Sequence, residues 1–153
     1  MKEKKHYKDS VFYSMEQAVT YLRLVSSQLF KKLNIDISVD QFIALDTINC
    51  NENVCQRDLS KLILKDRPCT TRLLESLEDK GFVKRTVGAK KNRLVKKVFV
   101  TEKGKQILEK NKVELTNSFY QFFENISEEE IETLEKILNK IKISLGNVVK
   151  LSI

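Results

Sequence analysis

The chain has 153 residues, 41% of them hydrophobic and 32% charged, with 4 Gly and 1 Pro. Such a chain can bury one core, with length left for a dimerisation extension, and it favours helices over a turn-rich β fold. The net charge of +7 is uneven: residues 53–105 hold 15 Lys+Arg against 6 Asp+Glu, and the rest hold 13 against 15, so the middle of the chain should attract a polyanion.

The first nine residues are basic and polar and read as a frayed tail, or as an arm across a dimer partner or onto phosphate. They lack the apolar h-region of a signal peptide, and no apolar run reaches membrane length. We therefore expect a cytoplasmic protein with no membrane partner. Residues 11–33 place Met15, Val19, Leu22, Val25, Leu29 and Leu33 at helical spacing, a long amphipathic helix broken at 34–36. Ser38 and Gln41 have capping-box spacing for a second helix, with Phe42, Ile43, Leu45 and Ile48 inward. A turn at 51–54 precedes a short helix over 55–64, with Leu59, Leu62 and Ile63 inward.

A tight linker at 65–66 leads into 66–81, read as a helix with two purposes. Asp66 caps its start, Pro68 is tolerated in the first turn, and Gly81 ends it. Leu73, Leu74 and Leu77 form its apolar stripe. Arg67, Thr70, Thr71 and Arg72 crowd its first turns, where Arg can donate twice to guanine and Thr offers a hydroxyl and a methyl to base edges. Two short helices, the second polar at its N-terminal end, read as a helix-turn-helix.

After Gly81 the period changes. Residues 82–87 and 97–101 read as two short strands flanking a long basic tip, 88–96. Residues 80–97 hold 8 basic residues and no acidic one, as a wing on phosphates and in the minor groove would. Thr101 caps a helix to about residue 124, with Ile107, Leu108, Leu115, Phe119, Phe122 and Phe123 apolar. Ser127 and Glu130 form a capping box. The last helix places Ile131, Leu134, Leu138, Ile141, Leu145 and Val148 in an a/d seam that needs a partner helix, from this chain or a second one.

The three cysteines, Cys50, Cys55 and Cys69, should be free thiols, and their spacing is no metal signature. Catalysis has no footing: the one histidine, His6, lies in the tail, and there is no Gly-rich phosphate loop, zinc-spaced Cys pair or nucleophile elbow. No cofactor is expected.

The ordered set Gln56, Leu59, Asp66, Thr71, Arg72, Leu77, Gly81, Phe82, Val83, Arg85, Val98, Val100, Thr101 and Gly104 resembles the MarR family of bacterial transcriptional regulators, over about residues 11–151. The resemblance implies a mainly α fold with a small β-hairpin wing. Residues 1–36 would be the tail and N-terminal dimerisation helix, 37–101 the winged helix-turn-helix lobe, and 102–153 the C-terminal dimerisation helices. It implies a homodimer on double-stranded DNA, read as a repressor on a pseudo-palindromic operator. Arg67, Pro68, Thr70, Thr71 and Arg72 would face the major groove. Lys90, Lys91, Asn92 and Arg93 would form the wing contact, and Gln56, Lys84, Arg85 and Lys96 would touch phosphate. Where the family wing usually reads Asp-x-Arg, this chain has Asn92-Arg93-Leu94, so Leu94 stands in the usual Arg position. Proteins of this kind often respond to small aromatic or amphipathic effectors or to thiol oxidation, for which Cys69, at a helix N-terminus beside Arg67 and Arg72, is the candidate; the alternative is that all three cysteines are ordinary small buried residues. The competing reading is a winged-helix dimer serving as a protein-interaction module, which has no need of the acid-free basic run.

Overall fold

The computed structural model describes residues 6–90 and 93–149, with backbone alone at Lys90 and Arg93. A 3-10 turn (Tyr7–Asp9) precedes α1 (Val11–Lys32), α2 (Val39–Cys50), α3 (Gln56–Leu62) and α4 (Arg67–Asp79). The hairpin β1 (Val83–Lys90) and β2 (Arg93–Val100) follows, then α5 (Glu102–Gln121) and α6 (Glu128–Gly146). Helices with one antiparallel hairpin between α4 and α5 make the winged helix-turn-helix that the sequence led us to expect. Among the described residues no helix is long and apolar enough to cross a membrane. The chain divides into two compact units, Met1–Asp40 and Gln41–Ile153.

In the first unit, Ser10 caps α1, its hydroxyl oxygen accepting from the Tyr13 N–H at 3.2 Å. Asn34 ends the helix at φ +52°, a left-handed conformation Asn tolerates, and the Ile35 N–H reaches the Phe30 carbonyl at 2.9 Å. The expected stripe is covered unevenly. Val25, Leu29 and Leu33 are half-buried, whereas Val19 and Leu22 stand exposed. Of the N-terminal tail expectation, residues 1–5 lie outside the described residues.

In the second unit, α2 buries Ala44, Leu45 and Ile48, and Ile43 is exposed, contrary to expectation. Each residue turns a helix by about 100°, so a face centred on 44, 45 and 48 excludes 43. Gln41 donates through Nε2 to Ser76 Oγ on α4 at 2.7 Å, tying α2 to α4. On α3, Leu59 and Ser60 are buried and Ile63 beyond its end is half-buried, which carries Leu62 to an exposed edge rather than inward. Leu64 closes α3 in the left-handed region at φ +53°, with its N–H on the Lys61 carbonyl and the Lys65 N–H on the Ser60 carbonyl. A leucine there is strained, since the Cβ crowds the carbonyl oxygen that glycine would clear.

The hairpin is longer than its apolar runs indicated. Its register runs from Val83 opposite Val100 to Lys90 opposite Arg93, so most of the expected loop is paired strand. Val87, Val95 and Leu94 carry the ladder through the lysines. Behind it, the Val98 N–H donates to the Val54 carbonyl at 3.0 Å, and Lys97 bridges Cys55, so β2 also pairs with the residues entering α3.

Thr101 caps α5, its hydroxyl accepting from the Gly104 N–H and donating to the Gly81 carbonyl at 2.7 Å. Gly104 permits this close approach: a Cβ there would stand 2.3 Å from the Phe82 carbonyl oxygen. α5 buries Leu108, Leu115 and Asn111, whose amide donates to the Ile107 carbonyl. It ends at Gln121, a little before the expected 124. Ser127 and Glu130 form the capping box of α6, with the Ser127 N–H 2.9 Å from Glu130 Oε2. No residue of α6 is buried, and Leu138 and Leu145 on its apolar seam are 40% and 57% exposed.

Candidate nucleic-acid interface

The site begins with the start of α4. Asp66 Oδ1 accepts from the Cys69 N–H at 2.7 Å, satisfying a donor that has no partner within the helix. Pro68, inside the first turn, gives up an N–H that would be unpaired anyway. The helix ends in a Schellman turn: Gly81 at φ +75° directs its N–H to the Glu78 carbonyl, and the Phe82 N–H reaches the Leu77 carbonyl. Phe82 is thereby buried, and Lys103 lies over its ring at 4.9 Å.

Which face of α4 is free follows from what the helix buries. Thr70, Leu74 and Leu77 are fully enclosed, at i, i+4 and i+7. Thr70 is therefore corrected: it is 0% exposed, its hydroxyl donates to the Asp66 carbonyl at 2.8 Å, and it leaves the groove-facing set. The signal was present in the sequence, because Thr70 continues the Leu74–Leu77 stripe by one turn, but a threonine in that stripe does not announce itself as core. Arg67, Pro68 and Arg72 are exposed, and Thr71 is partly so.

Thr71 is held from two sides. Its hydroxyl donates to the Arg67 carbonyl at 2.9 Å and accepts from Gln56 Nε2 at 2.7 Å. What it can still offer is a methyl group and a lone pair, not a donor. Gln56 is engaged too: its Nε2 is turned to Thr71, and among the described residues its enclosed Oε1 has no hydrogen-bond partner, so the side chain braces α3 against α4.

Arg85 is engaged as well. Its Nε donates to Glu78 Oε2 at 2.9 Å, its terminal nitrogen makes a second contact to the same oxygen, and its backbone N–H donates to Glu78 Oε1 at 3.1 Å. The guanidinium holds the Glu78 carboxyl below its ordinary range, and the carboxylate in turn raises Arg85. Two guanidinium donors on one carboxylate oxygen and the backbone N–H on the other fix orientation as well as charge. The pair thus pins the hairpin base to the C-terminal half of α4. Lys84 and Lys96 are exposed on the strands. Of the expected wing contacts, Lys91 and Asn92 lie outside the described residues, as do the side chains of Lys90 and Arg93. Cys69 is half-buried, Cys50 exposed and Cys55 buried, all free thiols, with Cys55 Sγ donating to Asp58 Oδ2 at 3.1 Å. Among the described residues no cluster of three or more His, Cys, Asp or Glu could hold a metal ion.

A family model described as the MarR family matches residues 37–95, which span α2 to the early part of β2. The HTH-type transcriptional regulator YybA of Bacillus subtilis is 30% identical over 118 residues, 77% of each chain. Among solved structures, the transcriptional regulator SlyA superposes with a TM-score of 0.78 at 25% identity, covering 90% of this chain and 95% of that one. MepR of S. aureus in its complex with DNA superposes with a TM-score of 0.76 at 22% identity, covering 92% of this chain and 99% of that one, a likeness of fold.

Proposed function

The chain belongs to the MarR family of transcriptional regulators, and from that membership we propose that it is a homodimeric, sequence-specific repressor on double-stranded DNA. The observation that carries the reading is the start of α4. Arg67, Pro68, Thr71 and Arg72 present a guanidinium-rich, solvent-facing helix end, while Thr70, Leu74 and Leu77 anchor the opposite face. Arg67 and Arg72 read base edges or positioning phosphates in the major groove, Thr71 offers its methyl, and Lys84 and Lys96 neutralise phosphate beside the hairpin. MepR, similar in fold, has been captured on DNA. The α6 seam is uncovered in one chain, which supports a second copy as its occupant. Two copies of α4 then meet successive major grooves about 34 Å apart. A small aromatic or amphipathic effector, or oxidation of Cys69 at the reading end of α4, would act by changing affinity for DNA.

Footprinting on the DNA upstream of the chain's own gene tests this. We expect a protected pseudo-palindrome with two half-sites one helical turn apart. A single asymmetric half-site removes the dimer geometry, and no protection at any sequence removes specific reading.

A further inference from the structure

The hairpin has two faces, and one of them changes character along its length. Directly paired residues share a face, so Val83, Arg85, Val87 and Ala89 lie on the same side as Val100, Val98, Lys96 and Leu94. At the base this side is closed: Val83 and Val98 are buried and Arg85 is bound to Glu78. Farther out the same side carries Val87, Ala89 and Leu94 beside Lys96 and loses its cover. Val87 is 71% exposed and Leu94, opposite the small Ala89, is 82% exposed. An uncovered apolar ribbon face is a liability unless something meets it.

The charge around the face selects what that is. Lys96 lies on this side opposite Val87, Lys84 is exposed on the adjoining side, and residues 80–97 contain no acidic residue. Lys96 also feels the Glu78 carboxylate that Arg85 holds, but Lys84 and the acid-free run around it would stay unmatched on a protein or peptide partner unless it were strongly acidic. The walls of a duplex minor groove are apolar deoxyribose edges framed by two rows of phosphate, which matches an apolar ridge between lysines. Apolar side chains set against or between base steps are an established way of occupying that groove.

We infer that Leu94, supported by Val87 and Ala89, is an apolar minor-groove contact, and that it makes the hairpin sensitive to groove floor and width rather than to a base-specific hydrogen bond. The inference rests on the DNA-binding reading above. The only minor-groove feature that separates G·C from A·T is the guanine N2 amino group, which projects from the groove floor and would obstruct an approaching methyl. Leu94 therefore disfavours G·C in the flank that the hairpin covers.

The test is fluorescence anisotropy of the full chain on the footprinted duplex and on the same duplex with flanking guanines replaced by inosine. Inosine lacks the N2 amino group and leaves the major-groove pattern of guanine in place. Leu94 is exposed, so Leu94→Asn should fold, and an unchanged thermal midpoint checks that. We expect Leu94→Asn to weaken binding about tenfold, the loss of a buried leucine contact, with the salt slope unchanged. Val87→Asn should act in the same direction. Inosine should tighten the parent chain and leave Leu94→Asn unmoved. Equal affinity of Leu94→Asn and the parent, or an equal gain from inosine in both, overturns the inference while the regulator reading stands. A change in sedimentation of Leu94→Asn without a change in DNA affinity also overturns it, because the face then meets protein. If the unaltered chain binds no duplex, both readings fall together.

Discussion

Thr71 and Arg72 are neighbours on one helix, yet they can offer a base very different things. The Thr71 hydroxyl has spent its proton on the Arg67 carbonyl and taken a bond from Gln56, whereas Arg72 is exposed with a five-donor fork. Base discrimination should therefore rest on the guanidinium. Arg72→Ala should cost roughly 1–3 kcal/mol on the operator and relax base preference, read by gel shift against operator and random duplex. An equal loss on both would make Arg72 a phosphate contact. Lys96→Ala should weaken all sequences alike and flatten the salt dependence by about one unit of slope; an unchanged slope would place Lys96 off the interface. At this scale the residue types that suit DNA were legible in the sequence, but their availability was not. Thr70, Gln56 and Arg85 have the right chemistry and are already committed, to the Asp66 carbonyl, to Thr71 and to Glu78.

Between elements, two devices set the geometry of the lobe. The turn from α3 to α4 is made by Leu64 at φ +53°, where an exposed side chain gives little back for the strain. Leu64→Gly should remove a backbone cost of about 1–2 kcal/mol, offset by the greater freedom of glycine in the unfolded chain, for a net gain of up to about 1 kcal/mol. Urea unfolding would show it as a higher midpoint at unchanged slope, and a lower midpoint would mean the Leu64 side chain packs more than its exposure indicates. The second device is Glu78 with Arg85. Glu78 titrates below its ordinary value in the fold because Arg85 donates to it. Its contribution to stability is thus complete above the ordinary glutamate value of about 4.3 and is lost as pH falls through the lower folded value. Glu78 is partly solvated, so Glu78→Gln should lower stability at neutral pH by about 1 kcal/mol or less. The difference from the parent should close in acid, and a gap independent of pH would deny the pair any role. Caps and stops at this scale were readable because they are local: Asp66, Thr101, Ser127 and Gly81 act on backbone groups within a few residues. The hairpin length was not readable, because its outer ladder is interleaved with lysines that hide the alternation.

For the molecule as a whole, the decisive fact is a helix with an apolar seam and nothing buried on it. Leu138 is 40% exposed in the single chain, so Leu138→Asp should leave a monomer's fold intact and cost several kcal/mol only where a second surface closes over it. Sedimentation should show a dimer become a monomer, with DNA affinity lost alongside. A variant that stays dimeric at the same concentrations would mean that another surface joins the copies. The sequence by itself determined the element order, the capped starts of α4, α5 and α6 with the Gly81 stop, the basic middle of the chain and the MarR-type winged helix, since each follows from local hydrogen bonding, period or composition. Tertiary structure alone decided which polar side chains remain available to a ligand and which apolar ones remain uncovered. Those depend on neighbours far apart in the chain: Gln56 reaching Thr71, β2 pairing with Val54, and a hairpin face that is closed at Val98 and open at Leu94.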